Sequence, residues 1–194
     1  MTEQKIVRVV IADDEAVIRM GLTQIVTSLE HRVVGTAANG EIALEVTQRL
    51  KPNLLLLDIK MPVMDGLEVA EKLAEETPLP IIMLTAYSER TLIERAANAS
   101  VMGYLVKPIH ENKLGPTIEV ALARFETMQT TAREVHKLRS QLENRELIDA
   151  AKKILVTTGL SESEAYQRIQ MTARRKRCSM RQVAEAVIAV GAHA

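Results

Sequence analysis

Five short, mainly apolar runs mark the first two-thirds of the chain: Ile6–Ala12, Val33–Ala37 (the weakest), Leu54–Leu57, Ile81–Leu84 and Met102–Val106. Apolar runs bounded by polar residues predict strands buried on both faces. Between them lie amphipathic stretches that predict helices, roughly Ala16–Leu29, Glu41–Leu50, Leu67–Glu76 and Glu89–Ala99, with a fifth beginning near Leu114. Strand and helix alternate, which predicts an α/β fold: a doubly wound, five-stranded parallel sheet with helices on both faces. Right-handed crossovers bring the carboxyl ends of all the strands to one edge. Open sheets of this kind bind ligands at that edge.

The pattern then changes. Pro116 suits the first turn of a helix, and neither Gly nor Pro follows until Gly159. Leu114, Ala121, Met128, Val135 and Leu142 recur every seven residues; Ile118, Phe125 and Ala132 fill the alternate position, and Arg139 breaks it. Such a repeat predicts a coiled-coil rod that pairs two chains, with one long helix packed on its own domain as the alternative. Beyond it, Leu147–Val156 continues the helix and Gly159 stops it. Ser161-Glu162-Ser163-Glu164 and Ser179-Met180-Arg181-Gln182 read as capping boxes that open two more helices. Ala165, Ile169 and Ala173 share one face, as do Val183, Ala184, Val187 and Ile188. The expected domains are 1–125, a linker helix over 126–144 and a small three-helix module over 145–194.

Charge sharpens this division. The formal net charge is zero, but residues 145–194 hold nine basic and five acidic side chains, so the acidic excess lies in residues 1–144. An acidic front and a basic tail suggest two modules, the second suited to a polyanion. Aromatics are only 2% of the chain, so the core is expected to be aliphatic and methionine-filled. A single cysteine, Cys178, rules out an internal disulfide and points to a reducing compartment. No apolar run approaches the ~20 residues of a membrane span, and Met1–Ile6 holds no apolar leader. A cytoplasmic protein is expected.

The predicted strand ends collect a specific set: Asp13 and Asp14 after the first, Asp58 after the third, Thr85 after the fourth and Lys107 after the fifth. Any one of them alone reads as a helix cap or a surface residue. Three carboxylates at one edge repel one another and call for a cation, and oxygen ligands of this charge suit Mg²⁺. A lysine and a hydroxyl beside them suit the remaining oxygens of a phosphoryl group. The segments IADDE, LLLLDIKMPVMDG, MLTAYSE and YLVKP resemble the receiver domains of two-component response regulators over about residues 5–125. The resemblance implies Asp58 as phosphoacceptor, Asp14 as a direct and Asp13 as a water-mediated Mg²⁺ ligand, and the Lys60 carbonyl as a further ligand. It implies Thr85 and Tyr104 as a switch pair and Lys107 as a phosphoryl contact placed by a cis bond to Pro108. The partner it implies is a sensor histidine kinase. One departure is Asn98-Ala99-Ser100-Val101, where many receivers carry a Gly-Ala pair.

In the tail, Arg174-Arg175-Lys176-Arg177 and Arg181 form a basic cluster that suits phosphates through counterion release. Tyr166 is a lone ring available for stacking on a base. The segment AAKKILVTTGLSESEAYQRIQMTARRKRCSMRQVAEAV resembles the ANTAR output domain of transcription antiterminators. This implies binding of paired RNA hairpins in a leader transcript, with Lys152, Lys153, Tyr166, Arg174, Arg175, Lys176, Arg177 and Arg181 as candidate contacts, by a chain that is a homodimer when phosphorylated. Arg174 departs from the Met usual in that family. A DNA-binding helix-turn-helix or a protein-docking tail are the alternatives. No catalytic residue is expected, because nothing after residue 110 pairs a nucleophile with a base: His110, His136, Cys178 and His193 are scattered.

Overall fold

The computed structural model describes residues 6–86 and 101–191. It divides into two compact units, Met1–Gln129 and Thr130–Ala194. The predicted helix Glu89–Ala99 and most of the Asn98–Val101 departure lie outside the described residues.

The first unit contains β1 (Arg8–Ala12), α1 (Ala16–Ser28), β2 (Arg32–Ala37), α2 (Gly40–Leu50), β3 (Leu54–Asp58), α3 (Gly66–Glu76), β4 (Ile81–Thr85), β5 (Val101–Val106) and the start of α4 (Glu111–Thr157). The sheet is parallel throughout, in the order β2-β1-β3-β4-β5. The chain reverses direction across the sheet between β1 and β3, which makes their carboxyl ends the switch point.

Side chains alternate across the pleat, so each apolar strand feeds two cores. Val10, Leu55, Leu57, Ile81 and Met83 pack on one face against Ala43 and Val46 of α2 and Val69 and Leu73 of α3. Val9, Ile11, Leu54, Leu56, Ile82 and Leu84 pack on the other against Leu22 and Val26 of α1 and Leu114, Ile118 and Ala121 of α4. Both cores are aliphatic with methionine, as the composition predicts. The helix starts are fixed locally: the Asn39 side chain accepts from Ile42 N, and Asp65 with Glu68 forms a capping box at α3.

Two expectations about α4 need correction. The helix begins at Glu111, not near Leu114, so Pro116 lies beyond the first turn. The Leu114 N–H already bonds the His110 carbonyl. A proline this deep removes a helical hydrogen bond; burial of Leu114 and Ile118 on either side holds the helix through it. The seven-residue seam also divides. Leu114, Ile118 and Ala121 are core residues of the first unit, while Met128, Val135 and Leu142 are exposed. Only the later positions are free to pair with a second chain.

The second unit contains the remainder of α4, α5 (Glu162–Lys176) and α6 (Met180–Gly191). Both predicted capping boxes form. Ser161 accepts from Glu164 N while the Glu164 carboxylate accepts from Ser161 N at 2.9 Å, and Ser179 and Gln182 repeat the exchange. Gly159 turns the chain between α4 and α5 at φ +97°, a conformation that favours glycine. The core is thin: Ala151, Ile169, Ala173, Val183 and Ala184, with Leu147, Leu155, Val187 and Ile188 half-buried around them. Among the described residues, no helix is long and apolar enough to cross a membrane.

Candidate functional site

The carboxyl ends of β1, β3, β4 and β5 place the predicted set together. Asp13 directly follows β1, and its N–H bonds the Ala37 carbonyl at the end of β2. Asp58 is the last residue of β3 and Thr85 the last of β4. Lys107 follows β5, its N–H 2.9 Å from the Thr85 carbonyl, and the Lys107–Pro108 bond is cis. Asp13, Asp58 and Thr85 are buried; Asp14 and Lys60 are exposed; Tyr104 on β5 is half-buried.

One cation sits between the two buried acids. Lys107 Nζ lies 2.7 Å from Asp13 Oδ2 and 3.1 Å from Asp58 Oδ2. Burial pushes the Asp58 carboxyl up to about 6, although Lys107 pulls it down; Asp13 pushes it up further. Burial lowers the Lys107 ammonium, but its bonds to Asp13 and Asp58 outweigh this and hold it above the ordinary lysine value. Burial likewise raises the Tyr104 phenol. Carboxylate oxygens of Asp13, Asp14 and Asp58 all lie within 4.8 Å of one another. Three acids against one lysine leave uncompensated negative charge around hard oxygen donors. That donor set fits a divalent cation such as Mg²⁺.

The remaining acceptors and donors are held locally. Asp58 Oδ1 accepts from Ile59 N at 3.0 Å, Asp13 Oδ1 from Glu15 N at 2.9 Å, and the Thr85 hydroxyl donates to the Ala86 carbonyl at 2.9 Å. Two supporting residues escaped the sequence reading. Arg19 Nη1 donates to the carbonyls of Asp13 at 2.7 Å and Asp14 at 3.0 Å, clamping the loop that carries both acids. A Cβ on Gly66 would collide with the Asp58 carbonyl, so only glycine lets α3 start this close to β3. The motif LLLLDIKMPVMDG carries a signal for Gly66. Nothing in the sequence points to Arg19, whose partners are backbone atoms.

Comparisons with known proteins identify the family. Residues 9–119 match the response regulator receiver domain, and residues 136–188 match the ANTAR domain. The chain is 42% identical over 182 residues to the transcriptional regulatory protein PdtaR of Mycobacterium tuberculosis, covering 93% of this chain and 89% of that one. It belongs to the receiver–ANTAR response regulators. It is also 31% identical to the transcriptional regulatory protein YdfI of Bacillus subtilis, over 73% of this chain and 72% of that protein. Among solved structures, the receiver domain of AraT from Geobacillus stearothermophilus superposes with a TM-score of 0.58 at 33% identity, covering 64% of this chain and 99% of that one.

In the ANTAR unit the predicted basic residues are spread over α4, α5 and α6 and differ in their partners. Lys152 is engaged by Asp149 at 3.3 Å and Glu162 at 3.8 Å. Arg181 is tied to Glu185 at 2.8 Å, to Glu143 at 3.5 Å and to the Asn144 amide. Of these, Lys152–Glu162 links α4 to α5, and Arg181 with Glu143 and Asn144 links α6 to α4. Arg174, Arg175 and Lys176 are exposed, but successive helical residues point about 100° apart, so they face three directions. Arg177 has left the helix: its φ of 53° forms the left-handed cap that ends α5. Lys153 and Tyr166 are exposed.

Proposed function

We propose that this response regulator is switched by phosphoryl transfer from a sensor histidine kinase to Asp58, and that its ANTAR bundle then binds leader RNA hairpins to promote transcription antitermination. The observation that carries the reading is the Asp13–Lys107–Asp58 bridge at the switch point of a parallel sheet. In this reading residues 1–125 are the receiver, 126–144 the pairing rod and 145–194 the RNA-binding module, working in the cytoplasm.

An ionised Asp58 oxygen attacks the phosphorus of the kinase phosphohistidine. An oxygen–phosphorus bond forms, the phosphorus–nitrogen bond breaks, and the imidazole leaves with a proton from solvent. Asp13, Asp14, Asp58 and the Lys60 carbonyl are the groups that would hold Mg²⁺, which would supply charge neutralisation for the phosphoryl oxygens. Lys107 already touches Asp58 and follows the new charge onto the phosphoryl group. The Thr85 hydroxyl exchanges the Ala86 carbonyl for a phosphoryl oxygen, and Tyr104 turns into the space beside it. This biases a two-state equilibrium in the sheet edge. Exposed Met128, Val135 and Leu142 then pair two rods. Two bundles held together bind two hairpins with an avidity neither has alone.

The site assignment is tested by labelling with acetyl phosphate in Mg²⁺. The wild type is expected to acquire one acid-stable, base-labile phosphoryl group, and Asp58→Asn none. Undiminished labelling of Asp58→Asn rejects the assignment.

A further inference from the structure

α5 turns Ala165, Ile169 and Ala173 into the bundle core and leaves two flanks in solvent. On one flank Glu164, Gln167, Arg168, Met171 and Arg175 follow one another at helical spacing and, with Leu160 from the preceding turn, line a groove of about 520 Å³. Arg168, Gln167 and Met171 lie outside the set of contacts that the ANTAR resemblance implies.

The chemistry of this groove is uneven in an informative way. Arg168 and Arg175 are exposed, and among the described residues neither has an acidic partner, unlike Lys152 and Arg181. They lie seven residues apart, about 10 Å along the helix axis at the usual rise, on the same side. Between them Met171 is 68% exposed, a large apolar side chain left in water. Gln167 adds an amide with one donor and one acceptor face. At the far end Glu164 is committed to the capping box through Ser161. Two arginines with an exposed thioether between them and an amide edge beside it suit one nucleotide: phosphates for the arginines, a base face for the thioether, a base edge for the amide. A base held by a paired stem presents no free face. Tyr166 lies two residues from Arg168, so it faces the other flank.

We infer that this groove seats an unpaired nucleotide from the loop of the bound hairpin, with Arg168 and Arg175 on its flanking phosphates, its base on Met171 and its edge toward Gln167. The inference rests on the RNA-binding reading above and names the part of the bundle that reads the loop. It makes the α5 flank, not the Arg174–Arg177 run as a whole, the source of discrimination between looped and fully paired RNA.

The test uses the full chain with acetyl phosphate and Mg²⁺. The probe is a pool of hairpin RNAs with randomised loops carrying a photoreactive thiouridine. Fully paired RNA and duplex DNA of equal length are the controls. Trypsin isolates Met171 in the peptide 169–174, where the crosslinks are expected to concentrate. Arg168→Ala is expected to weaken hairpin binding about tenfold and to lower the salt slope by about one unit. Met171→Glu is expected to abolish the preference for looped over fully paired RNA. Both positions are exposed, so the far-UV circular dichroism of each variant should match the wild type. Crosslinks confined to other peptides, with affinity and slope unchanged in both variants, would overturn the groove and leave RNA binding standing. Failure of the wild type to retain any hairpin, or equal retention of duplex DNA, would overturn the RNA reading and the groove with it.

Discussion

Lys107 Nζ lies between two buried carboxylates, 2.7 Å from Asp13 Oδ2 and 3.1 Å from Asp58 Oδ2. Removing this cation leaves the acids facing each other with no counter-charge. Lys107→Met should therefore destabilise the metal-free protein by about 3 kcal/mol. Millimolar Mg²⁺ should recover a large part of the loss, because a divalent ion restores the missing charge. Urea unfolding in EDTA and in Mg²⁺ measures both values. Equal losses in the two conditions would mean that the lysine acts by packing and not by charge.

Asp58 is held with its carboxyl pushed up to about 6, mainly by burial. A group whose pKa is higher folded than unfolded binds more protons in the native state, so its contribution to stability falls as pH rises. The window runs from the ordinary carboxylate range near 4 to about 6. In EDTA the wild type should lose stability relative to Asp58→Asn across that window, leaving the Asn variant the more stable by a few degrees in Tm at neutral pH. Mg²⁺ should shrink or reverse this difference. A constant difference between pH 4 and pH 8 in EDTA would show that Asp58 titrates normally.

The division of the α4 seam predicts opposite behaviour for two leucines that occupy the same heptad position. Leu114 is fully buried in the receiver core and Leu142 is exposed. Leu114→Ala should cost about 2–5 kcal/mol of receiver stability, while Leu142→Ala should leave stability unchanged and weaken pairing of phosphorylated chains. Denaturant unfolding and analytical ultracentrifugation separate the two. Comparable stability losses from both substitutions would contradict the division.

Much of this was legible in the sequence because four of the five strands end on, or are directly followed by, a candidate site residue. The order IADDE, LLLLD, MLT and YLVK places Asp13, Asp58, Thr85 and Lys107 at one edge once the sheet is parallel, and the structure puts them there. The α4 seam was only half legible, because an apolar residue every seven positions looks the same whether its partner is its own sheet or another helix. The split of Arg174–Arg177 follows from helical geometry, but the run reads as one patch until the cap at Arg177 is seen. The pairing of Lys152 with Glu162, and of Arg181 with Glu143, depends on how three helices pack. No local pattern encodes that.

Arg19 was invisible for the same reason, since it holds backbone carbonyls. Arg19→Ala removes both hydrogen bonds and loosens the Asp13–Asp14 loop, so Mg²⁺ affinity should fall several-fold by isothermal titration calorimetry with only a small change in Tm. Arg19→Lys should recover part of the affinity, because an ammonium can donate to both carbonyls as the single Nη1 does, but from a shorter side chain. Unchanged Mg²⁺ affinity in Arg19→Ala would remove the clamp from the account.

Charge placed on Asp58 is expected to raise the affinity of the ANTAR bundle for RNA. The most direct measurement is a mobility shift of a paired-hairpin RNA by the full chain, with acetyl phosphate and Mg²⁺ present or omitted, for the wild type and Asp58→Asn, beside duplex DNA of equal length. Phosphorylation is expected to strengthen the RNA shift of the wild type alone and to leave the DNA unshifted. RNA binding that is indifferent to phosphorylation, or identical in Asp58→Asn, would contradict this.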